Sequence, residues 1–260
     1  MEGLNPATAA DLAAVPRGNT QKHVNRDLLK YLLRCQGARL RRPGVRWLDL
    51  PCGAGELLEQ VRRFFAPAEL WGADVCPTPP AVPSSLAGYA AVDLSQQFPF
   101  AGAPTPTFDI ITSISGVMCF ANTAQFIGNC ARRLAPGGLL LVSNDNCLSV
   151  RDRLSYLFLG RVRRFRLLFE PDEGNFQLVQ HQELKRLFDV NGIKLMHVCY
   201  TAFYLEDLLY LPLALLLWPW HWWQLRRARS RVSWALRQQL FGFKSLLCRH
   251  YFFVGEKVAG

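Results

Sequence analysis

Short apolar runs alternate with amphipathic stretches along this chain, and the alternation predicts a parallel sheet covered by helices. The runs are nearly continuous in apolar residues, as expected of strands buried on both faces. Seven strands are predicted in this way, at 45–50, 70–75, 89–92, 108–114, 139–143, 193–200 and 249–254.

Helices are predicted between these strands wherever apolar residues recur at helical spacing. They cover 25–33, 56–65, 126–134 and 181–191. The stretch 77–85 is rich in proline and serine and holds no long regular helix, and Pro136-Gly137-Gly138 ends the third helix. Each strand is thus followed by a turn or a helix, as in βα units.

The turn after the first strand is the best candidate for chemistry. It follows Asp49, contains Gly53 and Gly55, and leads into a helix, so backbone N–H groups and a helix N-terminus face a ligand. Glycine allows close approach and positive φ. Asp74 closes the second strand, where its carboxylate can accept hydrogen bonds from two vicinal hydroxyls. A nicotinamide site is disfavoured because Leu58 stands at the third glycine position. The alternative is a ligand-free turn in which Asp49 caps the helix.

These residues resemble the first motif of the class I S-adenosylmethionine-dependent methyltransferases, at 48–57, with Pro51 where glycine is more usual. Four further motifs of that family follow in order. They are Asp74 after the second strand, Asp93-Leu94, the strand Phe108-Asp109-Ile110-Ile111, and the turn 133–139. The resemblance implies a Rossmann-like fold, namely a seven-stranded, mostly parallel sheet with helices on both faces. A hydrophobic insertion would separate strands six and seven.

The resemblance also implies which residues hold the cofactor, S-adenosyl-L-methionine. Asp49 and the backbone of Gly53 and Gly55 would hold its methionine end, and Pro51 and Cys52 would line it. Asp74 and Val75 would hold the ribose. The remaining predicted cofactor contacts are Asp93 and Leu94 at the adenine and the backbone of Ser113 at the sulfonium.

A general base for the methyl acceptor is harder to place. The family usually carries one shortly after strand four, but the stretch 114–120 contains no competent base. The candidates elsewhere are His23, Asp145 and His181. We favour Asp145, at the carboxyl edge of the sheet, and His181. His23 and His181 could instead be solvated histidines.

Charge is unevenly distributed along the chain. The formal net charge is +10, of which +8 belongs to residues 151–260, where 17 basic and 9 acidic side chains lie. Such a field favours phosphates, nucleic acid or anionic membranes, or serves solubility alone. Nucleic acid is disfavoured because the basic stretches lack interleaved aromatic residues.

The eight cysteines form no C-x-x-C pair and no zinc-ligand spacing, so no metal site is predicted.

The insertion between strands six and seven carries 13 consecutive apolar or aromatic residues, Leu208 to Trp220. As a helix it would span about 20 Å, too short to cross roughly 30 Å of hydrocarbon, and Pro212 and Pro219 are expected to interrupt it. Tryptophans and then arginines follow, the order expected at lipid headgroups. We expect a membrane-surface contact through Leu208 to Arg231. The alternative is a helix buried on the core.

Four segments follow from this organisation. They are an N-terminal helical cap (1–44), a cofactor-binding core (45–143), a basic substrate lid and helix (144–192), and final strands (193–260) with the insertion at 201–248. The segment 146–165 resembles bacterial methyltransferases acting on sugars or lipid-linked cell-envelope intermediates.

The predicted activity is methyl transfer to a hydrophobic or lipid-linked acceptor. A soluble sugar or small metabolite as acceptor, or a non-catalytic scaffold, remains the alternative. Residues 1–6 lack the features of a secretory signal, so we expect a cytoplasmic location, peripheral to the membrane if the insertion binds lipid.

Overall fold

The computed structural model describes residues 8–18, 23–65, 68–81, 85–100, 107–163, 165, 168, 177–229 and 232–258. Arg231, the last residue of the predicted membrane-surface contact, lies outside these residues. The strands are β1 (Arg46–Asp49), β2 (Glu69–Asp74), β3 (Gly88–Ala91), β4 (Phe108–Ser113), β5 (Leu134–Asp145), β6 (Ile193–Thr201) and β7 (His250–Lys257). The α-helices are α1 (Ala9–Ala14), α2 (Val24–Leu40), α3 (Glu56–Phe64), α4 (Thr123–Arg133), α5 (Val150–Leu159), α6 (His181–Val190), α7 (Leu211–Arg227) and α8 (Trp234–Phe241), and Leu205–Tyr210 and Phe243–Leu246 are 3-10 helices.

The seven strands form one sheet in the order β3-β2-β1-β4-β5-β7-β6. All neighbouring pairs are parallel except those made by β7, which runs antiparallel to β5 and β6. The predicted seven-stranded, mostly parallel sheet is therefore confirmed. Strand order reverses beside β1, so the carboxyl ends of β1 and β4 flank a crevice of the kind that binds ligands in open α/β sheets.

Side chains alternate between two apolar layers, one on each face of the sheet. On one face Trp47, Ile110 and Leu141 pack with α2 and α3. On the other face Leu48 and Ile111 pack with α4, α6 and α8. Helices on both faces are thus confirmed, and because the side-chain period is two, Asp49, Asp74, Asp145 and His250 project on the α2/α3 side.

The structure differs from the prediction at β5 and at α5. β5 begins at Leu134, not at residue 139, because Leu134 pairs with Phe108 across a register shift. α5 was not predicted, although Ser149 and Asp152 cap it reciprocally, with Asp152 N–H donating to Ser149 Oγ at 3.1 Å and that hydroxyl donating to Asp152 at 2.6 Å. That pattern is a helix-start signal in sequence.

The insertion 201–248 forms helices whose centre is α7. The expectation that proline interrupts α7 is wrong. Pro212 occupies the first turn, where its missing N–H is not needed. Pro219 lies inside the helix on its exposed side, and the helix continues past it to Arg227. None of the helices described is long and apolar enough to span a bilayer.

Candidate active site

The turn between β1 and α3 has the geometry that its glycines predict. Gly53 and Gly55 have φ of +50° and +80°, a region that glycine occupies without strain. A Cβ added at Gly53 would meet no atom within 4 Å, so the turn borders open space. Gly55 is the N-cap of α3 and no side chain caps that helix. Asp49 does not cap this helix, since its carboxylate accepts a hydrogen bond from the Thr112 hydroxyl instead.

Asp49 is held at the end of β1 by a chain of hydrogen bonds. Trp47 Nε1 donates to Thr112 Oγ1 at 3.1 Å, and Thr112 Oγ1 donates to Asp49 Oδ1 at 2.6 Å. Asp49 is buried, and burial raises the pKa of its carboxyl to about 7, although the hydrogen bonds from Thr112 and the Leu50 backbone oppose this. A buried, oriented carboxyl of this kind suits a site that receives positive charge.

Asp74 ties the end of β2 to the glycine turn. Its Oδ2 accepts a hydrogen bond from the Gly53 N–H at 2.8 Å, and its Oδ1 accepts one from Cys76 N–H at 3.2 Å. The structure thus brings Asp49, Asp74 and the turn together, as expected. The next residue, Val75, is 74% exposed beside this turn. Cys52 is buried, and burial raises the pKa of its thiol to about 12, so it lines the turn as a neutral thiol.

The other predicted cofactor contacts lie at the ends of neighbouring strands. Asp93 accepts hydrogen bonds from the N–H and hydroxyl of Ser95, at 2.9 and 2.6 Å, and these lower the pKa of its carboxyl. Leu94 is buried in the core. Ser113 is also buried, and among the described residues its Oγ has no hydrogen-bond partner. An unsatisfied buried hydroxyl at the end of β4 suits a polar ligand.

Asp145 forms an ion-pair contact that sequence reasoning missed. Its Oδ1 lies 2.8 Å from Nε2 of His250, the first residue of β7, which is buried. The two residues are paired in register across β5 and β7. His250 could have been found from the sequence. The last strand runs antiparallel to the others, so its first residue lies at the edge of the sheet where the parallel strands have their carboxyl ends.

His181 and His23, the other candidate bases, lie elsewhere. His181 is fully buried, stacks on Tyr251 with ring centroids 3.8 Å apart, and has its Nε2 3.0 Å from the Tyr200 hydroxyl. It does not face water, and burial lowers its pKa to about 3. It therefore stays neutral within the core. His23 borders a cavity of about 410 Å³ with Thr201 at the end of β6. That strand lies four spacings, roughly 19 Å, from β1.

The hydrophobic insertion has a side that is buried on the protein and a side that is exposed. Ala214 and Leu217 of α7 pack with Val150 of α5. The opposite face, here called the apolar face of α7, exposes Leu215, Leu216, Pro219, Trp220 and Trp223. Arginines follow directly: Arg226 lies 4.0 Å from the ring centroid of Trp222, and Arg227 lies 4.3 Å from that of Trp223.

Comparison with curated proteins finds relatives named ubiquinone biosynthesis O-methyltransferase. The one from Agrobacterium fabrum is 29% identical over 160 residues, which are 59% of this chain and 61% of that protein. The one from Chelativorans sp. is 30% identical over 182 residues, 68% of this chain and 66% of that protein. The chain spans about three-fifths of the length of the Agrobacterium protein.

Solved structures share the fold. A S-adenosylmethionine-dependent methyltransferase from Archaeoglobus fulgidus superposes with a TM-score of 0.56 at 13% identity, covering 90% of this chain and 93% of that one. A putative methyltransferase from Bacillus halodurans gives 0.52 at 15% identity, over 86% and 99% of the two chains. The family model described as methyltransferase domain matches residues 20–198. The chain belongs to this methyltransferase domain family, with the fold of the class I S-adenosylmethionine-dependent enzymes.

Proposed function

We propose that this chain methylates an oxygen of a hydrophobic or lipid-linked acceptor at a membrane surface, with S-adenosylmethionine as methyl donor. The observation that carries the proposal is the 2.8 Å hydrogen bond that joins Asp74 to the open Gly53 turn, with the buried Asp49 at the end of the neighbouring strand. Family membership supports the reaction class.

The residues of the crevice fit the donor group by group. Asp74 would hold the ribose hydroxyls through the lone pairs that Gly53 and Cys76 leave open, with Val75 beside it. Asp49 and the N–H groups of the turn would hold the charged methionine end, and Asp93 the adenine amino group. Cys52, Pro51 and Leu94 would supply apolar walls. These assignments rest on the family's motif order and on the contacts above.

The chemistry that S-adenosylmethionine supplies when bound is a sulfonium-activated methyl group: the acceptor oxygen bonds the methyl carbon as the carbon–sulfur bond breaks and its electron pair returns to sulfur. The chain's own task is to position the acceptor and to remove the hydroxyl proton. Asp145 is the favoured base. Val142 of β5 pairs with Ser113, the last residue of β4. Asp145 follows Val142 by three residues, so β5 carries it about 10 Å past the end of β4. It projects on the same face of the sheet as Asp49, and its Oδ1 lies 2.8 Å from His250 Nε2.

An oxygen acceptor is supported by the names of the relatives, which describe O-methyltransferases. A membrane-surface location is supported by the apolar face of α7 and by the arginines that follow it. An exposed apolar stripe rimmed by tryptophan and arginine is the composition that binds the headgroup region of anionic bilayers.

Methyl transfer is tested by incubating the full chain with methyl-labelled S-adenosylmethionine and separate lipid and polar extracts, followed by mass analysis of the labelled product. Label in an alkali-stable ether of a lipid supports the proposal. Label confined to the polar extract would assign a soluble sugar or metabolite instead, and no label despite donor binding would favour a non-catalytic scaffold.

Membrane association is tested by flotation with vesicles that contain phosphatidylglycerol. Deleting the insertion is unsuitable because Ala214 packs against α5, so a single charge is placed on the exposed face in Trp220→Asp, where the side chain is 61% exposed. Val190→Asp, at a 68% exposed apolar residue of α6, is the matched control. Flotation of wild type and control but not of Trp220→Asp is expected. Equal flotation of all three proteins would refute the membrane-surface part of the proposal.

A further inference from the structure

A cavity of about 720 Å³ runs along α5, outside the cofactor crevice. Its walls are mostly apolar: Leu148, Tyr156, Leu157, Val162 and Leu178 contribute, with a few polar groups among them. Cavities of this size and composition bind small molecules, whose apolar parts fill the walls while a few polar groups fix orientation.

The inner end of this cavity lies beside the proposed base. Cys147 lines it and follows Asp145 by two residues. Burial raises the pKa of the Cys147 thiol, and the carboxylates of Asp152 and Asp145 raise it further. Asp152, also in the lining, is itself 3.7 Å from Arg163 Nε. Polar groups are therefore concentrated at the end nearest Asp145.

The outer wall is apolar and exposed, although its helix is fixed. Leu157 is 72% exposed, and Tyr156, Phe158 and Leu159 are exposed with it. Exposure does not reflect a loose helix, because α5 is capped at Ser149 and its other side packs on α7. Several large apolar side chains held in water at the rim of a cavity indicate that an apolar ligand covers them.

The beginning of α5, which borders the cavity, also lies next to the insertion. Val150 and Leu154 of α5 pack with Ala214 of α7, and Arg153, a lining residue, lies near enough to His221 of α7 to lower the pKa of that histidine. Burial of His221 is the larger cause of that shift. The cavity therefore lies near the side of α7 that is buried against α5, opposite the apolar face of α7.

From this geometry we infer that the α5 cavity is the acceptor site, and that it takes a compound with one hydroxyl-bearing head and one hydrocarbon chain. The chain lies against Leu157 and Val162, and the hydroxyl points toward Asp145. The inference rests on the proposed function and names the shape of its substrate.

The first test measures binding by calorimetry, without vesicles and without methyl transfer. The probes are 4-ethylphenol, 4-hexylphenol and 4-decylphenol, added to the full chain below their aggregation limits. Each methylene that enters the cavity should tighten binding up to about fourfold. Leu157→Asp should abolish this dependence on chain length, and Val190→Asp should keep it. Because Leu157 is largely exposed, the substitution leaves the fold intact.

Donor binding is measured on the same preparations, so that two failures can be told apart. If S-adenosylmethionine binds but affinity for the phenols does not rise with chain length, or rises equally in Leu157→Asp, the cavity assignment is overturned and the proposed function stands. If S-adenosylmethionine does not bind, the proposed function itself fails.

A second test separates an acceptor chain from the acyl chain of a membrane lipid. Decylphosphocholine has the same chain length as 4-decylphenol but lacks the phenol hydroxyl. Asp145→Asn should weaken binding of 4-decylphenol about tenfold and leave decylphosphocholine unchanged, because only the phenol donates to the carboxylate. Equal effects on the two probes, or tighter binding of decylphosphocholine by wild type, would make the cavity a lipid site and refute the inference.

Discussion

Asp49 makes the stability of this protein depend on pH in an unusual direction. Its carboxyl is 3% exposed, and burial raises its pKa from 3.8 to about 7. The folded chain therefore binds a proton that the unfolded chain has released. The resulting stabilisation is complete below about pH 4 and is lost as the pH rises through 7. Between about pH 5 and pH 8 the loss amounts to roughly 2.5 kcal/mol, at about 1.36 kcal/mol per pH unit while the two states differ by one proton.

Asp49→Asn removes this titration and keeps an oxygen that accepts the Thr112 hydroxyl, which lies 2.6 Å away in the native protein. Urea unfolding is measured at pH 5, 6, 7 and 8 for both proteins without ligand. The stability of wild type should fall relative to that of Asp49→Asn by roughly 2.5 kcal/mol across this range, since all other titrating groups are shared. Parallel curves would show that Asp49 titrates normally and refute the account of its burial.

Three further predictions concern binding and activity. Asp74→Asn should weaken the binding of S-adenosylmethionine about ten- to a hundredfold in calorimetry, because hydrogen bonds to a charged group are lost. The control Asp11→Asn, on the exposed N-terminal helix, should bind S-adenosylmethionine like wild type. Asp145→Asn should lower kcat on a hydroxyl acceptor by about 10²- to 10⁴-fold with donor affinity retained, and an unchanged kcat would exclude it as the base. His181→Gln should leave the pH profile of kcat/KM unmoved, because burial holds the pKa of His181 near 3, and a lost alkaline or acid limb would contradict its core position.

The cofactor turn was predictable because its signals are local. Asp49, Gly53 and Gly55 lie within one βα connection, and Asp74 ends the next strand of the same sheet. Alternation of apolar runs and amphipathic stretches fixes those elements, and parallel strands bring their carboxyl ends to one edge.

The pairing of Asp145 with His250 was not predictable in the same way, because it depends on the register of two antiparallel strands far apart in sequence. His181 was misplaced although a signal existed. With Leu184 and Phe188 it has the spacing of one helix face, and all three are buried in α6. An N-terminal histidine in a helix can thus belong to the core.

The apolar run of the insertion could not be divided into buried and exposed residues from sequence, because one helix has both. Ala214 and Leu217 face α5, while Leu216 and Trp220 face outward. Composition alone does not reveal which residues of an apolar helix pack against the rest of the protein. For α7 the packing depends on α5, and the helix-start signal of α5 was overlooked.

The central claim is that the glycine turn and its two aspartates bind the methyl donor. The most direct measurement is calorimetric titration of the full wild-type chain with S-adenosylmethionine and with S-adenosylhomocysteine, alongside Asp74→Ala, each first shown to unfold cooperatively. The account predicts one-to-one binding of both compounds by wild type and a large loss of affinity in Asp74→Ala. Folded wild-type protein that binds neither compound, or an Asp74→Ala variant that binds both as tightly as wild type, would contradict it.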